Sequence, residues 1–229
     1  MSQQRSWREL WNSIAVRHAG DSVRASGRSP GRSDMLLDCQ RIDRFLDFSS
    51  NDRVLDVCCG NGILARELAP STLDWSGCDF SREMIAAASH HRIANERFLI
   101  GLSTRLPFKD HSFCKVLLYA CLQYHTTKDA ITAVSEAKRV CVPWGRILVG
   151  DIPDVAQKRA FDKDTAFGCR RRLVGLASEA KRFVLSQPRA KDTWFDREWV
   201  SRSFGDRRWQ VVISRRDPPY RFDALLAPR

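Results

Sequence analysis

The apolar residues of this chain change period along its length. Trp7, Leu10, Trp11 and Ile14 fall at i, i+3, i+4 and i+7, which predicts an amphipathic helix over 6–17. A loop rich in Gly, Ser and Arg follows at 20–34, and helical spacing returns over 35–47 with Leu36, Leu37, Ile42, Phe45 and Leu46 on one side. From residue 53 short apolar runs take over. RVLDVCC (53–59), LDWSGCDF (73–80), ERFLIGL (96–102), FCKVLLYACL (113–122) and RILVGDI (146–152) read as strands. Helices at 63–69, 81–91 and 130–141 separate several of them, with Ser81 as the N-cap of the second and PWG (143–145) as a turn before the fifth strand. Such alternation predicts an α/β fold, a doubly wound Rossmann-like sheet. The run at 113–122 suits a strand buried on both faces in its middle.

The last third is less regular. Residues 155–191 read as mixed helix and loop, 195–204 as a helix, and 209–216 and 220–227 as two strands joined by DPP and therefore antiparallel. They complete a seven-stranded sheet. The expected organisation is an N-terminal helix and mobile loop forming a cap (1–34), then one main domain (35–229) with a basic insertion at about 155–191.

Charge adds to this picture. Thirty-eight basic residues against 27 acidic give +11. Residues 158–191 hold 10 basic and 3 acidic side chains, including Arg170, Arg171 and Arg172, and so suggest an anionic partner for the planar guanidinium fork. The eight cysteines form no C-x-x-C pair and read as reduced core thiols, with no metal site expected. The opening MSQQRSWREL lacks an apolar run and no stretch reaches the ~18 apolar residues of a membrane span, so a soluble, cytoplasmic protein is expected.

Candidate chemistry begins where the first strand ends in Gly60-Asn61-Gly62. A tight glycine turn there lets backbone N–H groups approach a ligand beside a helix N-terminus. Asp79 ends the second strand, where a carboxylate can accept hydrogen bonds from ribose hydroxyls. GNGILA also satisfies the dinucleotide pattern G-x-G-x-x-A, so the turn alone leaves two cofactors open. Asp56, four residues before Gly60, would repel a pyrophosphate, and a helical cap precedes the strand. Together with LPFKDHSF (106–113), these features make the chain resemble the class I S-adenosylmethionine-dependent methyltransferases over about residues 35–152.

That resemblance implies S-adenosylmethionine as cofactor and S-adenosylhomocysteine as its product. It implies that Cys58, Gly60, Asn61 and Gly62 line the methionine end and that Asp56 holds the ammonium group. Asp79 would bind the ribose, Phe80 and Met84 would flank adenine, and Leu102 and Ser103 would approach its edge. Tyr119 and Leu122 would face the sulfonium. Three positions depart from the family pattern: Cys58 replaces a glycine, Leu102 stands where an aspartate often binds adenine, and Cys114 replaces the aspartate of SF-D.

The methyl acceptor is less legible. His125 and Asp151 follow the fourth and fifth strands and are the candidate catalytic pair, with His125 able to take a proton as neutral imidazole. Gln123, Tyr124, Tyr220 and Arg221 join Arg170–Arg172 as candidate substrate residues. Short strings in PPYRFDALLAP, DIPD and LQY resemble methyltransferases of polysaccharide and natural-product pathways. They imply O-methylation of a small anionic acceptor such as a sugar, glycan or natural-product intermediate. A nucleic-acid methyltransferase and a non-catalytic cofactor-binding protein are the alternatives, although no RNA-binding module or NPPY-like element stands in the sequence.

Overall fold

The computed structural model describes residues 3–17, 32–68, 74–90, 96–163, 192–216 and 219–229. Two helices, α1 (Gln3–Arg17) and α2 (Arg32–Leu46), precede the sheet. Then come β1 (Arg53–Val57), α3 (Ile63–Leu68), β2 (Asp74–Asp79), α4 (Arg82–His90), β3 (Glu96–Ile100), β4 (Phe113–Tyr119), α5 (Thr127–Val140) and β5 (Cys141–Pro153). The helix α6 (Arg197–Phe204) and the strands β6 (Trp209–Arg215) and β7 (Arg221–Pro228) close the chain.

The strand order is β3-β2-β1-β4-β5-β7-β6, with β7 antiparallel to both neighbours and the first five strands parallel. The order reverses between β1 and β4, so the carboxyl ends of those strands open a crevice where open α/β sheets bind ligands. Central strands are apolar because both their faces are covered. Leu55, Val57, Val116 and Leu118 pack under α5 and α6, while Leu117 and Leu148 pack under α2. Local chemistry sets the helix starts: Thr126 accepts the Asp129 N–H, Asp196 the Trp199 N–H, and Ser81 Oγ the Met84 N–H at 3.1 Å.

Two boundaries differ from the sequence reading. The apolar run at 113–122 does not stay extended: β4 ends at Tyr119, and Leu122–Tyr124 form a 3-10 turn that swings the chain over the sheet edge. PWG is not a turn between elements. β5 runs through it from Cys141, and the four residues before Arg146 are taken up in a bulge opposite Cys114, where a Cβ on Gly145 would lie 2.5 Å from the Cys114 carbonyl oxygen.

The LPF element is fastened to α5. Arg139 donates to the Leu106 and Phe108 carbonyls and to the Asp110 carboxylate, while Glu136 accepts the Leu106 N–H at 2.8 Å. The Arg139 bond holds Glu136 below the usual carboxylate range. These contacts fix the loop that follows β3 and carries one wall of the site.

Candidate functional site

The turn between β1 and α3 holds three residues with left-handed backbone: Cys58 (φ 62°), Gly60 (φ 54°) and Gly62 (φ 71°). Cysteine at the first of these therefore adopts the conformation that the family's glycine supplies without strain. The two glycines serve different ends. Gly60 has no atom within 4 Å of where a Cβ would stand, which leaves an open cradle beside the backbone. Gly62 admits Phe98, whose ring would lie 2.9 Å from a Cβ there, so its role is packing of the turn on β3.

A cavity opens above this turn. Asp56, Cys58, Gly60, Asn61, Asp79, Phe80, Met84, Leu102, Ser103, Tyr119, Tyr124 and His125 all line it. Asp56 is 1% exposed and Asp79 6%. Asp79 Oδ2 accepts the Gly60 N–H at 3.0 Å and Oδ1 the Ser81 N–H at 2.9 Å. Burial raises its carboxyl above the usual range, and the N–H groups of Ser81, Gly60 and Phe80 oppose that rise. A hydrogen bond with Cys121, then burial, holds the Cys58 thiol well above its ordinary range, and burial does the same for Cys59. These thiols are protonated walls near neutral pH.

The N-terminal helix supplies the remaining side. Trp7, Arg8 and Trp11 of α1 line the same cavity. The Trp7 and Trp11 rings meet Tyr124 edge-on, with centroids 4.7 and 5.4 Å away. Ser81 Oγ donates to Asn12 Oδ1 at 2.7 Å, and the Arg8 guanidinium lies 5.8 Å from the Phe80 ring centroid. In the sequence these two tryptophans share one face of an amphipathic helix, to be packed on the domain or laid over a ligand.

His125 follows the 3-10 turn after β4 and lies beside Ser103, which follows β3. Its Nε2 is 2.7 Å from Ser103 Oγ and its Nδ1 is 3.0 Å from the Cys121 carbonyl oxygen. Burial lowers its pKa from the ordinary 6.5, against the Cys121 carbonyl and Asp129, which raise it. The imidazole is neutral at pH 7.

Asp151 is elsewhere. It is absent from the cavity lining and faces two arginines, with Arg216 at 3.4 Å and Arg221 at 3.6 Å. It belongs to a part-buried ion cluster in which Arg216 also bonds Asp38 and Tyr119, while Arg41 pairs with Asp223. Burial opposes the charge on Arg216, but Tyr119, Asp151, Asp38 and Asp223 outweigh it and raise its pKa. The cluster positions Tyr119, whose hydroxyl donates to Asp38 at 2.5 Å, as a cavity wall. Asp151 is thus an ion-pair partner rather than a base in the cavity, and Arg221 is its counter-ion, donating also to its carbonyl at 3.0 Å.

Other expected site residues also fall outside the lining. Leu122 is buried in the main core, Gln123 lies beneath the turn with its Nε2 on the Ala120 carbonyl, and Tyr220 packs on Phe161 with centroids 5.6 Å apart. Arg170, Arg171 and Arg172 lie outside the described residues.

Comparison with known proteins agrees with this geometry. Residues 54–145 match the family described as a methyltransferase domain. A demethylmenaquinone methyltransferase of Beutenbergia cavernae is 37% identical over 100 residues, 44% of this chain and 40% of the relative, so that alignment spans less than half of the relative's length. Among solved structures, the PH0226 protein of Pyrococcus horikoshii aligns with a TM-score of 0.66 at 17% identity, covering 86% of this chain and 91% of that one. The magnesium protoporphyrin IX methyltransferase of Synechocystis, solved with S-adenosylhomocysteine bound, aligns at 0.59 and 15% identity over 83% and 82% of the two chains; both likenesses are of fold. A demethylmenaquinone methyltransferase of Corynebacterium kroppenstedtii is 31% identical over 172 residues, 73% of this chain and 72% of the relative, and with a likeness of that length the chain belongs to the class I S-adenosylmethionine-dependent methyltransferases.

Proposed function

We propose that the chain transfers the cofactor's methyl group to a small, flat, aromatic acceptor of the quinol type, on ring carbon or on oxygen. One observation carries this reading: where α1 closes the cavity, its wall is the aromatic cluster of Trp7, Trp11 and Tyr124. Aromatic walls favour a planar apolar ring through stacking and edge contacts. The names of the curated relatives, demethylmenaquinone methyltransferases, support the same class of acceptor.

The charge of the described lining supports a neutral ring over the anionic acceptor that the sequence suggested. Asp56, Asp79 and Asp129 line the cavity against one cationic side chain, Arg8. That field suits a sulfonium and disfavours a phosphate. The basic residues that argued for a sugar phosphate or glycan lie in 158–191, of which 164–191 are outside the described residues.

The lining fits the cofactor. Open space above Gly60 admits it, Asp79 would hold its ribose and Asp56 its ammonium group, and Phe80 and Met84 would flank its adenine. When bound, S-adenosylmethionine supplies an electrophilic methyl group on a sulfonium. The protein's work is then alignment of the acceptor, worth ~7–11 kcal/mol, and exclusion of water by α1 acting as a cap. No helix among the described residues is long and apolar enough to cross a membrane.

The test is transfer of labelled methyl to reduced demethylmenaquinone by the purified chain. Label in the quinone fraction is expected. Label that appears only when sugar phosphates or RNA are supplied would refute the reading.

A further inference from the structure

Ser103 and His125 come from different loops. Ser103 follows β3, in the loop closed by the Leu102–Arg105 bridge, and His125 follows the 3-10 turn after β4. Ser103 Oγ nevertheless lies 2.7 Å from His125 Nε2, and both residues line the cavity. The other ring nitrogen fixes the direction of that bond. The Cys121 carbonyl oxygen, 3.0 Å from Nδ1, can only accept, so Nδ1 carries the proton. Nε2 then offers a lone pair, and the Ser103 hydroxyl donates to it. A hydroxyl has one proton and two lone pairs. With its proton committed to His125, Ser103 Oγ can only accept from a ligand in the cavity. The backbone holds the imidazole in this place: the His125 N–H donates to the Leu122 carbonyl at 3.0 Å, and its own carbonyl accepts the Thr193 hydroxyl at 2.6 Å.

The sheet order decides which end of the cofactor reaches this loop. In the placement argued above, Asp56 of β1 holds the ammonium group and Asp79, the last residue of β2, holds the ribose. Methionine and adenine leave the ribose ring on opposite sides. The strands stand in the order β3-β2-β1, so methionine turns back over β1 and adenine runs on to the loop after β3. The Gly101 N–H ties that loop to the Asp79 carbonyl at 2.9 Å. Phe80, Met84 and Leu102 give the base apolar walls there. Its exocyclic amine brings two N–H donors, for which the Leu102 side chain offers no acceptor. The Leu102 carbonyl is already taken by the Arg105 N–H at 3.0 Å.

We propose that Ser103 Oγ accepts a hydrogen bond from the adenine amine and that His125, by holding the serine proton, makes Ser103 an acceptor. The assignment rests on the cofactor placement argued above. His125 is then a positioning residue that acts through Ser103, and the pair reads the identity of the base. A hypoxanthine base, with a carbonyl oxygen in place of the amine, would set two acceptors against each other. The serine cannot turn its proton to that oxygen without leaving the Nε2 lone pair without a donor. The pair therefore selects adenine over its deaminated form by ~10–100-fold, the cost of a polar group left unsatisfied.

Calorimetry on the full chain with S-adenosylhomocysteine and its deaminated analogue, S-inosylhomocysteine, tests the pair. Wild type should bind the adenosyl form ~10–100-fold more tightly. His125→Leu frees the serine hydroxyl to turn and donate to the carbonyl, so that ratio should narrow by about tenfold. A merely structural loss would weaken both ligands alike and leave the ratio unchanged. Ser103→Ala, which removes the acceptor itself, should narrow it too. Nitrogen-15 NMR of wild type should show the Nδ1–H tautomer of His125 at pH 7. Three results would overturn the assignment: binding of S-adenosylhomocysteine with no preference over the analogue, a ratio that survives in both variants, or an Nε2–H tautomer. A wild type that binds neither ligand would overturn the cofactor placement itself, and this assignment with it.

Discussion

Replacing Trp7 with alanine should open the N-terminal helix and leave the sheet intact. Trp7 is 5% exposed and its ring lies against Tyr124, so truncation removes a buried aromatic worth ~3–5 kcal/mol. What remains to hold α1 is weaker. The Ser81–Asn12 hydrogen bond contributes ~0.5–1.5 kcal/mol, the Arg8–Phe80 contact ~0.5–1, and the Trp11–Tyr124 pair ~0.5–1.5 beyond its area. A helix of 15 residues is marginal in water on its own, so α1 depends on these contacts. At ~1.4 kcal/mol per tenfold, the loss should speed hydrogen exchange of the α1 amides by ~10²-fold or more, up to the rate of free chain. Amides of β1, β4 and β5 should exchange as in wild type. Affinity for S-adenosylhomocysteine should fall in proportion to the open population, since Trp7 and Trp11 line the cavity. Unchanged exchange in α1 would refute the reasoning. So would loss of protection in α1 and the sheet together, which would make the helix part of the global core and not a cap.

Asp79→Ala should weaken S-adenosylhomocysteine binding by ~1.5–3 kcal/mol, the value of hydrogen bonds to a charged acceptor, as read by calorimetry. Gly62→Ala should destabilise the fold more than Gly60→Ala in urea denaturation: both have positive φ, but only at Gly62 would the new Cβ press on Phe98. Arg216→Ala should cost ~3–5 kcal/mol of stability, because Asp38, Asp151 and Asp223 would face one another without their shared cation. Thermal stability should fall as pH drops below about 6.5, where His125 titrates in the unfolded chain. With its folded value lowered, the stability it contributes is full above that pH and is lost as pH falls through the folded value, and His125→Gln should flatten this limb of the melting curve. Asp79 acts with the opposite sign. Its raised carboxyl favours the fold below the ordinary 3.8, and that contribution is lost as pH rises through the folded value.

The part of the site built from local signals was readable in the sequence. Strand, Gly60-Asn61-Gly62 turn and helix are adjacent in the chain, and Asp79 ends the next strand, so periodicity and turn chemistry reach them. His125 was readable too, as a histidine at the ligand edge of the sheet. What failed to show was long range. Arg216 and Asp38 are 178 residues apart and meet only because β7 and β6 fold back beside β5 under α2, so Asp151 looked free for catalysis when it is ion-paired. The Ser103–His125 bond likewise joins loops from opposite sides of β1. Two local errors have local causes. Pro-Trp-Gly is a turn signal that a bulge can also satisfy, and apolar Cys121 and Leu122 prolong the strand pattern although their burial comes from a 3-10 turn over the core.

Calorimetric titration with S-adenosylhomocysteine, with NAD in parallel, tests whether the cavity above Gly60 binds S-adenosylmethionine. Saturable heat with one site per chain is expected for S-adenosylhomocysteine, weakened in Asp79→Ala, with far weaker binding of NAD, whose pyrophosphate would meet Asp56 and Asp79. Saturable heat from NAD with none from S-adenosylhomocysteine would contradict it.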